Sequence, residues 1–387
     1  MGTLSCWAIA VGMVVSGQYF GWNQGFVYAN LPTMLVALLL VTVFYVGFMR
    51  LLVMLSVAMP ASGGVMLYWF KLDRPLLAKC VGVAALCEYF FAVTAIAKAT
   101  GAYWHGLLPA CSAEPMAVLF LILFCALNMV GVQQSLWVEI AATLLALLGL
   151  LVFNVSSWHH GEWHHWLHLS LTFSWPALWL AIPYVLWLYL GIEGSVLSAA
   201  EVKRPTTTLP RAIRLAMLTL IVTAVMTVFQ VASLLPSGLL SSPQPLTAAL
   251  QQRHLGSELW LHAVSFLALF GLLASLNGLL IAASRQWAAI GSHPVDRGVG
   301  MESQWRWQKI FLGLAVTGVL VLCLFPESVL LLLSILAVLC VYLAGIAAWF
   351  ACARSHRISA SIADYGLAML VSLLAAVASV CVVFSLS

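Results

Sequence analysis

Apolar stretches long enough to cross a bilayer follow one another along the whole chain, with little between them. A helix needs about 20 apolar residues to span the hydrocarbon layer. Charged or turn-rich interruptions divide the sequence into about eleven such stretches, at 5–30, 33–56, 77–104, 115–133, 137–156, 173–199, 212–235, 258–285, 308–325, 327–352 and 360–385. Of 387 residues, 64% are hydrophobic and 7% charged, against about 25% charged in a soluble domain. So few charges cannot cover a soluble surface of this size. The apolar runs are too long, and alternate too little, for barrel strands. The expected fold class is an all-α integral membrane protein, with residues 1–387 as a single transmembrane domain.

The charges that exist are placed unevenly. Loops after even-numbered spans hold 14 of the 16 lysines and arginines, among them Arg50, Lys71, Lys203, Arg211, Arg306 and Arg354. Positive loops stay in the cytoplasm. The chain is thus expected in the inner membrane, with its N-terminus cytoplasmic and its C-terminus outside. The first apolar run is too long for a cleavable signal and lacks a basic leader.

The first span is interrupted halfway, at Ser16, Gly17, Gln18 and Gly21. Each glycine weakens a helix by about 1 kcal/mol relative to alanine, and the polar side chains are penalised by lipid. Irregular backbone survives at membrane depth only where it lines protein or water. Such a break would offer N–H groups to an anion and carbonyls to a cation or ammonium; close helix packing through Gly and Ser is the alternative. The sixth span repeats the pattern. Tyr19-Phe20-Gly21 is echoed by Tyr189-Leu190-Gly191, and a polar residue follows each. Pro183 also releases the carbonyl four residues before it. Matched breaks in two blocks of five spans, one inverted relative to the other, point to a transporter binding site. The blocks would cover about 5–156 and 173–352, with an extra helix at about 360–385.

Intramembrane acids are functional by default. Glu193 follows the second break, as partner of an amine or proton or as a tether between helices. Glu88 sits mid-span in the third stretch. Lys98, about 15 Å further along the same helix, is expected to reach outward. The aromatics Tyr19, Phe20, Trp22, Tyr184, Trp187 and Tyr189 crowd the two breaks and suit an ammonium group. His160, His164 and His168 share a face in WHHGEWHHWLH, a weak case for metal; an interfacial helix fits that stretch better. No metal site or cofactor is expected. The nine scattered cysteines do not form a disulfide framework. No enzyme signature appears.

Three strings, GMVVSGQYFGWNQG, IPYVLWLYLGIEGSVLSAAEVKRPTTTLPRAI and FGLLASLNGLLIAASRQWAAIG, resemble the amino acid–polyamine–organocation superfamily of permeases, and within it the ethanolamine and amino-acid permease branch. The resemblance implies a five-plus-five inverted repeat, alternating access and unwound spans 1 and 6. By position it places Ser16, Gly17, Gln18, Tyr19, Gly21 and Trp22 at the substrate from span 1. Tyr184, Val185, Leu186, Trp187 and Tyr189 would line the site from span 6, with Ser275 and Asn277 from span 8. Glu88, Glu193 and Glu201 would act in coupling or gating. The chain departs from such relatives in carrying Gln18 where an acid often stands, and in having eleven spans where twelve are usual. The implied function is secondary transport of a small amine or amino acid, such as ethanolamine, driven by a proton or sodium gradient. The alternatives are an uncoupled exchanger and a degenerate, non-transporting sensor or subunit. The implied partners are the solute and the bilayer, with no nucleic acid.

Overall fold

The computed structural model describes residues 1–59, 63–130, 136–158, 173–234, 242–252, 258–291 and 304–386. Among them there is no strand. The helices are α1 (Thr3–Val14), α2 (Leu31–Ala58), α3 (Gly64–Lys71), α4 (Pro75–Leu107), α5 (Ala113–Met129), α6 (Leu136–Trp158), α7 (Trp175–Leu186), α8 (Pro205–Leu234), α9 (Pro245–Gln252), α10 (Glu258–Gly291), α11 (Gln304–Leu324), α12 (Glu327–Arg354) and α13 (Ile362–Leu386). Three tighter 3₁₀ segments, η1 (Val15–Gln18), η2 (Trp22–Val27) and η3 (Ile192–Glu201), continue α1 and α7.

Nine of the described helical segments are long and apolar enough to cross a membrane, counting α1 with its 3₁₀ continuation. Two shorter apolar helices, α5 and α7, occupy the expected fourth and sixth spans. The chain is therefore a multi-pass membrane protein. The eleven expected stretches correspond to these nine and two, but α7 covers only the first half of its stretch before the chain unwinds. Two short helices stand where the sequence predicts loop. In α3, eight residues bury Val65, Met66, Leu67, Tyr68 and Phe70; α9 is equally short. At eight residues each, neither can cross a bilayer. The histidine-rich run from His159 to His168 lies outside the described residues.

Local chemistry sets several helix starts. Asn30 caps α2 by accepting from the Thr33 amide at 3.2 Å, with Pro32 in the first turn. Ser174 accepts from the Ala177 amide ahead of α7. Inside the bundle, hydroxyls return their hydrogen to their own helix: Thr100 to the Ile96 carbonyl at 2.7 Å and Ser157 to that of Phe153 at 2.7 Å. This satisfies a polar group that hydrocarbon would otherwise penalise.

The long helix α4 is central, packing against α10, α12 and α5. Gly101 permits the α4–α5 contact, since a Cβ there would lie 2.8 Å from the Ala117 amide nitrogen. Helix α1 lies against α8, α6 and α10. The final helix, α13, packs on α12, α2 and α7, and Asp364 at its start holds Arg50 of α2 at 2.7 Å. Large apolar side chains such as Leu39, Leu218, Met369 and Val380 point outward, as lipid-facing positions do. Lys98 does not simply reach outward: it lies within electrostatic range of Glu327, the first residue of α12. None of the nine cysteines forms a disulfide.

Candidate functional site

Both interrupted spans are broken, and in the same way. Helix α1 ends at Val14, tightens through η1, and turns at Gly21 with φ of +90° before η2 begins. Helix α7 ends at Leu186, turns through 187–191, and reverses at Gly191 with φ of +96° before η3. Each glycine carbonyl then accepts from the amide three residues on, Gln24 at 3.2 Å and Gly194 at 3.0 Å. An L side chain strongly disfavours that backbone region. The glycines of the sequence echo are thus the positions where each helix turns.

The two breaks touch. A Cβ on Gly17 would sit 2.5 Å from the Trp187 carbonyl oxygen, and one on Gly21 would sit 2.6 Å from the Trp187 ring. Gln18 Nε2 donates to the Leu188 carbonyl at 3.2 Å. The Trp22 indole returns to the Gln18 carbonyl at 3.2 Å. Phe20 meets Trp187 edge to face at 5.5 Å. Ser275 of α10 clamps the first break, donating to the Gly12 carbonyl at 2.6 Å and accepting from the Ser16 amide at 3.2 Å. Gln18 Oε1 and Trp187 Nε1, both buried, have no protein partner. Such orphaned polar atoms in a native fold call for an explanation, and a solute can supply their partners.

Other expected site residues point elsewhere. Tyr19 donates to the Ala146 carbonyl at 2.5 Å, and its own carbonyl accepts from Tyr103 at 2.9 Å. Tyr184 stacks on Tyr28 at 5.9 Å. The Asn277 carbonyl oxygen accepts from Asn128 of α5 at 2.8 Å. Val185 is buried. Tyr189 and Thr42 share a hydrogen bond of 2.8 Å. Leu186 contributes its carbonyl, 3.1 Å from Tyr45 Oη. Glu201 closes η3, and its side chain lies outside the described residues.

Glu88 and Glu193 come together next to the second break, Glu193 lying just past its glycine in η3. They are 0% and 3% exposed, and their carboxyl groups interact with each other. Tyr45 and Tyr342 complete the group: Tyr342 Oη lies 3.0 Å from Glu193 Oε2 and 2.9 Å from Tyr45 Oη. Sequence reasoning passed over both tyrosines; a phenol in mid-span was the available signal. It also passed over Glu139 of α6, whose carboxyl packs against Gly12 of α1, although an acid inside an apolar stretch was plain to see.

Ser275 supplies a first prediction. Ser275→Ala leaves the Gly12 carbonyl and the Ser16 amide without a partner, which costs about 1–3 kcal/mol per buried group. The expected result is a clearly lower thermal unfolding midpoint, whereas exposed Ser355→Ala should leave it unchanged.

A bundle of membrane-spanning helices with two broken spans meeting inside it is the architecture of a membrane transport protein. The fold matches MhsT, crystallised in complex with L-phenylalanine, at a TM-score of 0.67 and 14% identity, covering 99% of this chain and 98% of that one. It also matches a mutant of the Eremococcus coleocola manganese transporter, at a TM-score of 0.57 and 14% identity, over 96% of this chain and 85% of that one. In sequence, 303 residues are 29% identical to an uncharacterized transporter of Rhizobium meliloti (strain 1021), a match spanning 74% of this chain and 64% of that protein's length. The amino acid permease family model matches residues 1–387. The chain belongs to that family, within the amino acid–polyamine–organocation superfamily.

Proposed function

We propose that this protein is a secondary transporter of a small solute that carries an amine and no net charge. A zwitterionic amino acid fits this description best; ethanolamine, a cation at neutral pH, is the alternative. The carrying observation is the contact of two bare backbone breaks, Gly17 against the Trp187 carbonyl, beside the orphaned Gln18 Oε1 and Trp187 Nε1. Neither 15–22 nor 184–191 contains Lys, Arg, Asp or Glu. A solute held there meets dipoles, not a formal counter-charge. That favours a zwitterion, whose carboxylate and ammonium are served by N–H groups and carbonyls, over a bare cation. Family membership and the L-phenylalanine bound by MhsT support the same class.

In this reading the two breaks close over the solute and part toward one side of the membrane at a time. The basic loops lie in the cytoplasm, and the membrane is the inner membrane. The test is uptake of labelled L-phenylalanine, other neutral amino acids and ethanolamine into proteoliposomes, with and without pH and sodium gradients. Saturable uptake of at least one zwitterion, competed by its congeners, is expected. Absence of both flux and ligand-induced thermal shift across the panel would overturn the reading in favour of a non-transporting relative.

A further inference from the structure

Three close oxygen contacts form a chain that runs from a buried acid to the second helix break. Glu193 Oε2 lies 3.0 Å from Tyr342 Oη, Tyr342 Oη lies 2.9 Å from Tyr45 Oη, and Tyr45 Oη lies 3.1 Å from the Leu186 carbonyl oxygen. Each contact needs a hydrogen between its two oxygens. A phenol carries one hydrogen and a carbonyl none, so two tyrosines can fill only two of the three contacts. The third hydrogen has to come from Glu193. With a protonated carboxyl, Glu193 donates to Tyr342, Tyr342 to Tyr45, and Tyr45 to Leu186, and every contact is satisfied.

Glu88 gives an independent reason for a proton here. It is fully buried, faces Glu193, and neither of its oxygens has a protein hydrogen-bond donor; Glu193 Oε1 has none either. No lysine, arginine or histidine among the described residues pairs with either carboxyl. The titratable groups within electrostatic reach of the pair are Tyr45 of α2, Tyr89 of α4 and Tyr342 of α12, with Tyr189 of the break next to Tyr45. Among the described residues, no charged side chain of the other helices packed on α4, namely α3, α5, α10 and α11, enters the interactions of Glu88. Two carboxylates that face each other in a low dielectric without a cation cannot both be ionised.

We propose that Glu88 and Glu193 form a proton-binding site wired through Tyr342 and Tyr45 to the Leu186 carbonyl, so that a bound proton and the amine of a bound solute compete for one hydrogen-bond chain. With the proton on Glu193, Tyr45 caps the Leu186 carbonyl. Both carboxyls hold a proton in the solute-free state; when the one on Glu193 leaves to solvent and Glu88 keeps its own, the Glu193 carboxylate accepts from Tyr342, and Tyr342 accepts from Tyr45. Both phenol hydrogens swing round, no tyrosine ionises, and the Leu186 carbonyl at the break is free to accept from an ammonium. This deepens the transport reading, and rests on it for the solute. It makes the proton the coupled ion and sets the sign: solute binding releases a proton.

Two measurements separate the parts. The first needs no solute. The infrared carbonyl stretch of protonated carboxylic acid, recorded on solute-free protein in liposomes at neutral pH, should lose intensity in Glu88→Gln and in Glu193→Gln. Where Glu193→Gln does not fold, Tyr342→Phe should shift that band by removing its hydrogen bond. An unchanged band in these variants overturns the proposal, whatever is transported.

The second follows binding of L-phenylalanine and ethanolamine against pH. Wild-type affinity should fall about tenfold per pH unit below the site's midpoint, as for one competing proton. Glu193→Gln, whose amide donates permanently to Tyr342, should bind weakly at every pH. Tyr45→Phe, which uncaps Leu186, should bind tightly at every pH. A Tyr45→Phe variant with the wild-type pH profile overturns the wire. Infrared loss as expected, with neither solute bound, leaves the proton site standing and counts against the transport reading alone.

Discussion

Gly17→Ala is expected to cut solute uptake by about ten- to a hundredfold while the protein still inserts and folds around its other helices. The added methyl would lie 2.5 Å from the Trp187 carbonyl oxygen and 3.5 Å from the Leu188 Cα. The obstacle is backbone, which cannot swing aside as a side-chain tip can. The two breaks must separate, and Gln18 then loses its 3.2 Å bond to the Leu188 carbonyl. Overpacking of this kind costs about 1–3 kcal/mol, and each 1.4 kcal/mol is about tenfold in affinity. Uptake and ligand-induced thermal shift in proteoliposomes, compared at matched protein levels, give the answer. Wild-type uptake by this variant would remove the closest contact in the proposed site from consideration.

Gly21→Ala should be the most destabilising single change at the breaks, because two penalties coincide. At φ of +90° an L-residue is strained by about 1–3 kcal/mol, and the new methyl would lie 2.6 Å from the Trp187 ring. Trp187→Leu in the same chain should recover the steric part of the loss and leave the backbone part. Gly191→Ala offers the control. Its φ is +96°, but a Cβ there meets only a Leu279 methyl at 3.3 Å and the Met13 carbonyl at 3.5 Å. Its thermal unfolding midpoint should fall less than that of Gly21→Ala. Equal losses at the two glycines would show that strain alone matters, and that Trp187 yields freely.

The steps legible in sequence were those carried by backbone chemistry. Glycine at 17, 21 and 191, with Pro183 between, marked where helices could not run smoothly, and the chain does turn at Gly21 and Gly191. Apolar length was legible for the same reason, because lipid imposes it residue by residue. Side-chain direction was not. Tyr19, Tyr184 and Asn277 stand at the positions expected of site residues, yet the Tyr19 hydroxyl turns to Ala146, the Tyr184 ring stacks on Tyr28 and Asn277 Oδ1 turns to Asn128. Once a helix unwinds, the 3.6-residue period no longer says which way a side chain points.

By itself the sequence determined that this chain lives in a membrane, that it is helical, and that its first and sixth spans break at glycine. Each of these follows from the cost of bare polar groups in hydrocarbon, which acts locally. Only the tertiary structure decided which groups meet: Gly17 against Trp187, Ser275 against Gly12, and Glu88 against Glu193 with Tyr342 and Tyr45 beside them. These partners lie up to 297 residues apart along the chain. Packing of whole helices brings them together, and no local preference of the chain encodes that register.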